Sequence, residues 1–268
     1  MSLPPITVGC VRWGTRYGPD YVNVLHRAVA AHLSHPHRFL CVTETVDGLD
    51  PEIETRPFPD INVPRKEWNR GSWPKLGLMA PGVMADDEIV LQLDLDILVV
   101  GGLDVFIDLV REKPAFYTLR EWNPALLRAL VPEALRPVRG TQGSVYAYRA
   151  GDQRHIFEDF TTRTAEVRAR YKSDRFYFPE IARDQAFLPA AWCPSFKNAC
   201  LWYWPLNRAF GVGRPPQDAR IIAFHGKPRP IDLLGPPGRR WGTARKFGSD
   251  PVPWVVEYWT GYGGTLPA

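Results

Sequence analysis

The chain has 268 residues, 45% hydrophobic and 23% charged, with a formal charge of +4. That is long enough to bury one large core, ordinary for a soluble globular protein, and without any apolar run near the ~20 residues a membrane helix needs. From Lys197 onward there are ten Lys or Arg against four Asp or Glu. This excess suits an anionic partner such as a diphosphate or an acidic membrane face, and no nucleic-acid module is visible. Ten Trp and 27 Pro point to ordered loops and aromatic-lined clefts. The four cysteines, Cys10, Cys41, Cys193 and Cys200, have no zinc spacing and read as reduced core residues of a cytoplasmic protein. The start, Met1 to Pro5, leads straight into a strand and reads as no signal peptide.

In chain order, residues 6–11 read as a first strand, and the loop 12–19 follows it. Residues 21–33 read as a helix, with Val22, Leu25, Val29 and Leu33 at helical spacing. Residues 38–43 read as a second strand. The Pro- and charge-rich stretch 50–69 reads as an ordered loop with a short strand near Ile53. A helix start is expected at 72–79, with Ser72 as cap and Pro74 in the first turn. The apolar run Ile89 to Val100 reads as a strand buried on both faces, with residues 88–93 as the central strand and Asp94 and Asp96 on one side at its carboxyl end. A helix follows over 103–110 and strands over 115–118 and 143–148. Helices are then expected over 152–163 and 184–190, a strand over 220–224, and an amphipathic segment near 252–259. Strands alternating with helices predict an α/β architecture: one domain over 1–268 with a mostly parallel sheet flanked by helices, and a basic, aromatic, Gly/Pro-rich segment from about 226.

Two carboxylates side by side at the edge of a core repel each other and lose hydration. A divalent cation removes both problems; the alternative is a strand end whose acids reach water. His225, at the end of the last strand, reads as a third ligand or as a structural histidine. Gly226 lets a backbone approach a phosphate closely, and Lys227 adds charge beside it. Lys75, in a first helical turn, opposes the helix dipole unless an anion stands before it; otherwise it is solvent-exposed. Arg12, Trp13 and Tyr17 offer a phosphate contact and rings for a nucleobase. Asp184 is either a cap or a group at the reacting centre.

With these residues assembled, the chain resembles the GT-A glycosyltransferases. It is most similar to the retaining branch, glycosyltransferase family eight, which includes glycogenin and the bacterial lipopolysaccharide galactosyltransferases. Leu93-Asp94-Leu95-Asp96 resembles the Asp-x-Asp signature that holds Mn²⁺ or Mg²⁺ on the nucleotide diphosphate. Phe224-His225-Gly226-Lys227-Pro228 resembles the C-terminal His-x-x-Gly-x-x-Lys-Pro element, shortened. The resemblance implies that His225 is the third metal ligand and Lys227 a phosphate contact, with Lys75 as the family's basic residue; beside it, Lys197 in Ser195-Phe196-Lys197 is expected to help stabilise the leaving diphosphate. It implies that Asp184 and Gln185 form the Asp-Gln pair at the anomeric carbon. Thr141, Gln142 and Gly143 stand where the family has Asn-x-Gly, in the sugar pocket.

The expected function is metal-dependent transfer of a sugar from a nucleotide sugar, a UDP-sugar, to a glycan, lipid or protein acceptor. Retention follows from the resemblance; Asp184 and Glu121 are the residues that would serve an inverting base. Two alternatives stay open: a sugar nucleotidyltransferase, and a non-catalytic nucleotide- or glycan-binding protein. Arg239, Arg240, Trp241, Arg245, Lys246 and Phe247 would rest on an anionic membrane face, or Trp241 would pack over the active site.

Overall fold

The computed structural model describes residues 4–267 apart from 124–126, 128–129, 133–134, 138, 203–205 and 243–247. Its strands are β1 (Ile6–Arg12), β2 (Arg38–Thr43), β3 (Glu54–Arg56), β4 (Ile89–Leu93), β5 (Ile97–Val99), β6 (Phe116–Arg120), β7 (Thr141–Arg149), β8 (Gln185–Phe187) and β9 (Ile221–Ala223). Its main helices are α1 (Pro19–His32), α2 (Asp104–Glu112), α3 (Ala150–Thr162), α4 (Thr164–Arg170), α5 (Asp174–Ile181) and α6 (Pro253–Gly261).

Among the described residues the main sheet has the order β3-β2-β1-β4-β7-β6-β8. β3, β2, β1 and β4 run parallel, β7 runs antiparallel to both β4 and β6, and β8 runs parallel to β6. The mostly parallel sheet flanked by helices agrees with the expectation. β1 and β4 are buried along their whole length, as strands covered on both faces are. One apolar layer packs α1 and α2 with residues such as Leu25, Phe106 and Trp259. The other packs α3 with Trp73, Phe160 and Tyr177. No helix among the described residues is long and apolar enough to cross a membrane.

The central strand ends at Leu93, as expected, and the rest of the apolar run to Val100 leaves it there. Asp94 N still donates to Ser144 O at 2.9 Å; the chain then bends, and β5 joins β9 in a separate two-stranded sheet. The helix expected over 184–190 is instead β8. Asp184 sits at φ 52°, in the left-handed region, where the extended backbone of an N-cap is absent. α4 and α5 were not predicted: they carry Arg-, Tyr- and Phe-rich sequence, with Pro179 inside α5, and lack a clean apolar stripe. Ser72 also lies at φ 56° and its side chain caps nothing, while its carbonyl accepts from Lys75 N at 3.2 Å, and residues 73–79 wind as a 3₁₀ helix.

Candidate active site

The end of β4 places Asp94 and Asp96 in one cleft with Trp13, Tyr17, Asn69, Lys75, Gln142, Ser144, His225 and Gly226. This is the carboxyl edge of the parallel strands, where ligands of open α/β sheets bind. The 3₁₀ helix 73–79 carries Lys75 there because it can press against β1. A Cβ on Gly9 would stand 2.9 Å from Leu78 Cδ2, so a side chain at position 9 would push the helix away. Gln92 adds to the hold, its Nε2 donating to Lys75 O at 3.5 Å while its Oε1 accepts from Tyr148.

Lys75 is therefore not the solvent-exposed residue of the plain reading; it is 7% exposed. Its Nζ lies 2.6 Å from Asp94 Oδ1 and 3.4 Å from Asp174 Oδ2, and it donates to Gly143 O at 2.7 Å. Burial alone would lower its pKa, but the charges of Asp174 and Asp94 outweigh this and raise it. With its donors taken by protein acceptors, Lys75 orients Asp94; as the side chain stands, it is not a phosphate contact.

Asp96 receives the Tyr17 hydroxyl on Oδ2 at 2.8 Å. Burial, then the neighbouring Asp94 charge, pushes its pKa up to about 6 despite that bond. Tyr17 stays protonated, since burial and Asp96 both raise its pKa. Asp174 opens α5, is 3% exposed, and has its pKa raised by burial, with Lys75 pulling the other way. Lys75 is thus paired with Asp94 and Asp174, and with Arg16 on the cleft wall two described cations stand against the three acids Asp94, Asp96 and Asp174.

His225 lines the same cleft, but its ring is engaged elsewhere. Nε2 lies 2.9 Å from Ser195 Oγ, and the ring stacks on Trp122 at 5.2 Å and 22°. Burial, with help from the charges of Lys197 and Arg175, lowers its pKa to about 4. It is a neutral imidazole. Among the described residues no three His, Cys, Asp or Glu side chains are grouped as a metal requires. The expected Asp94–Asp96–His225 triad is therefore not assembled in this conformation, because Ser195 and Trp122 hold the ring.

The other expected residues divide. Trp13 lines the cleft, its Nε1 donating to Asn69 Oδ1 at 3.0 Å. Arg12 does not line it: this buried guanidinium donates to Tyr17 O at 3.1 Å and Thr45 O at 3.2 Å, fixing the loop that aims Tyr17. Gln142 lines the cleft and accepts from Gly143 N at 2.7 Å. Thr141 instead donates to the Arg175 carbonyl. Lys197 donates to His225 O at 2.6 Å, supporting the histidine's backbone. Gly226, at φ 67°, lets the chain turn at the cleft wall. Lys227 pairs with Asp232 at 2.7 Å and lines a different cavity, so the phosphate contact expected of it is not made in the acid cleft.

Asp184 and Gln185 are the clearest correction. β6 and β8 are parallel, and Gln185 pairs with Phe116 at the start of β6. The cleft lies at the other end, where Arg120 pairs with Thr141. The pair is therefore three to four residues of extended strand away from the cleft, about 10–13 Å. The acid that does open a helix at the site is Asp174. Its signal in the sequence, Ser173-Asp174 ahead of an aromatic run, resembles an ordinary helix start. Ser195 and Trp122 were also missed, since neither lies in a motif. Glu121 pairs with Arg175 at 3.6 Å. Trp241 belongs to the core, its Nε1 donating to Asp250 O at 2.8 Å, so it neither faces a membrane nor packs over the acid cleft. Arg245, Lys246 and Phe247 lie outside the described residues.

Gly143 gives a direct test of this packing. A Cβ there would stand 2.6 Å from Tyr146 Oη and 2.9 Å from Asp174 Oδ2. Gly143→Ala is expected to cost about 1–3 kcal/mol, as overpacking does, and to weaken ligand binding in the cleft by moving the carbonyl that Lys75 holds. Urea denaturation reads the first effect; wild-type stability in this variant would show that the contact yields freely.

No family model matches the chain, and no curated protein matches it in sequence. Solved structures do match. The galactosyltransferase LgtC, in complex with donor and acceptor sugar analogues, has a TM-score of 0.57 at 13% identity over 97% of both chains. An active-site mutant of LgtC gives 0.55 at 14% identity, again over 97% of both. The glycosyltransferase GlyE of Streptococcus pneumoniae TIGR4 gives 0.57 at 12% identity, covering 96% of this chain and 60% of GlyE. The chain therefore spans about three-fifths of GlyE's length. At such identities the likeness is one of architecture, and it agrees with the sheet order and the acids at the end of β4: the chain has the GT-A fold of the glycosyltransferases.

Proposed function

We propose that the chain is a glycosyltransferase that takes a nucleotide sugar, a UDP-sugar, in the acid cleft and transfers the sugar with retention to a hydroxyl acceptor. The observation that carries the reading is the placement of Asp94 and Asp96 together at the carboxyl end of β4 on this fold. A divalent cation fits that position. The donors are hard carboxylate oxygens, and Lys75 and Arg16 are the described cations there against Asp94, Asp96 and Asp174. Asp94 and Asp96 would hold the ion, and His225 would join only by leaving Ser195. Bound there, Mn²⁺ or Mg²⁺ would neutralise charge on the leaving diphosphate.

The chain's own residues do the rest. Tyr17 fixes one oxygen of Asp96, and Lys75 fixes one of Asp94, so both carboxylates are oriented before a ligand arrives. Trp13 presents a ring at the cleft wall for the base, and Gln142 and Ser144 line the sugar's side. Among the described residues lining the cleft, the acids are Asp94 and Asp96 alone, both committed to the ion. No further carboxylate stands ready as the base that inversion needs, which favours retention.

The test is a thermal-shift series with UDP, UDP-sugars and other nucleotides, with and without Mn²⁺. A ligand of the folded state raises the midpoint by mass action. A Mn²⁺-dependent rise with UDP or one UDP-sugar, absent in Asp94→Ala, is expected. No shift with any nucleotide would overturn the donor assignment.

A further inference from the structure

A second cavity, of about 650 Å³, has no part in the reading above. Arg16, Lys227, Arg229, Arg239 and Arg240 line it, with Asp20 and Asp232 as its acids. Among the described residues lining it, five cations stand against two acids, a net charge of +3, with Lys227 and Arg229 both paired with Asp232. The acids are already engaged. Asp232 accepts from Lys227 Nζ and from Arg229 N, each at 2.7 Å, and Asp20 accepts from Thr265 N at 2.9 Å. Arg229 Nε is buried without a hydrogen-bond partner among the described residues, 3.7 Å from Asp232 Oδ2. Tyr21 and Trp259, edge to face at 5.1 Å, give the cavity an aromatic wall.

Gathering like charges in this way costs folding free energy unless an anion joins them. Guanidinium forks match phosphate oxygens in geometry as well as in charge. The volume is in the range of small-molecule sites. Arg16 lines both this cavity and the acid cleft, so the two are neighbours. We propose that this cavity binds a phosphate-bearing ligand at a site separate from the acid cleft. Assigning that phosphate to the sugar acceptor rests on the transferase reading; phosphate binding itself does not.

The experiment is calorimetric titration of inorganic pyrophosphate, in EDTA, into the wild type, Arg240→Glu, Arg240→Gln and Asp96→Asn. Binding is expected in the wild type and unchanged in Asp96→Asn. It should be weaker by about ten-fold or more in Arg240→Glu, and by less in Arg240→Gln. Circular dichroism midpoints verify that the exposed-site variants fold. Absence of binding, equal affinity in Arg240→Glu, or loss in Asp96→Asn would each overturn the proposal. Co-sedimentation with phosphatidic acid vesicles, against phosphatidylserine vesicles of equal charge, separates the sources. Preferential pelleting lost in Arg240→Glu assigns a lipid headgroup, and pyrophosphate binding without pelleting assigns a soluble phosphate. Pyrophosphate binding that survives while no Mn²⁺-dependent UDP shift is seen would remove the transferase reading and leave this site standing.

Discussion

Asp96→Asn is expected to stabilise the metal-free protein at pH 7.5 and to abolish Mn²⁺-dependent nucleotide binding. The amide keeps the shape and an oxygen for the Tyr17 hydroxyl, but removes a charge that burial and Asp94 oppose. The folded pKa of about 6 lies above the ~3.9 of a free aspartate. The native state thus holds this proton more tightly than the unfolded chain does. Asp96's contribution to stability is full below pH ~4 and is lost as pH rises through 6. Above that, ionised Asp96 costs up to about 3 kcal/mol at 1.4 kcal/mol per unit, and the variant should recover about 1–3 kcal/mol of it.

His225 tilts the profile the other way. Its folded pKa of about 4 lies below the free value of 6.5, so stability falls as pH drops from 6.5 toward 4. In the wild type the two slopes oppose each other between pH 4 and 6. In Asp96→Asn the histidine's rising slope loses the opposition of Asp96 and keeps that of Asp174, whose pKa is also raised by burial. Thermal denaturation in EDTA from pH 4 to 8 reads both effects, and an equal or lower midpoint at pH 7.5 would refute the account of Asp96 as an under-compensated acid.

Lys75→Met should be the most damaging single change at the site. The lysine side chain is 9% exposed and is the countercharge for both Asp94 and Asp174. Removing it leaves the buried Asp174 facing the partly exposed Asp94 with no countercharge between them, and breaking a buried pair from one side costs up to about 3–5 kcal/mol. Adding Asp174→Asn should return part of that loss, since it deletes one of the stranded charges. Urea denaturation of both singles and the double forms the cycle. A cost under about 1 kcal/mol for Lys75→Met, or no coupling with Asp174→Asn, would mean that water already screens the cluster. Arg240 lines the basic cavity and not the acid cleft, so its substitution is expected to leave this cluster's stability untouched.

Local chemistry determined much of this protein without help. The apolar run of β4 and the alternation of strands with helices specify a mostly parallel sheet, because buried strands need continuous apolar residues. Asp94 and Asp96 stand out because acids are costly inside such a run. Tertiary structure decided what those acids meet. Lys75, Asp174 and Tyr17 lie 19, 80 and 77 residues from Asp94 in the chain, and only the packing of a 3₁₀ helix, a short helix and a loop onto one sheet edge brings them together. The sequence misdirects at Asp184-Gln185, since whether a dipeptide opens a helix at the site or a strand at the opposite edge depends on sheet register, which acts across 69 residues to Phe116. It is silent on the His225–Ser195 and His225–Trp122 contacts and on the five cations of the second cavity. Charge clusters and ring stacks are properties of distances in space, and one-dimensional spacing does not encode them.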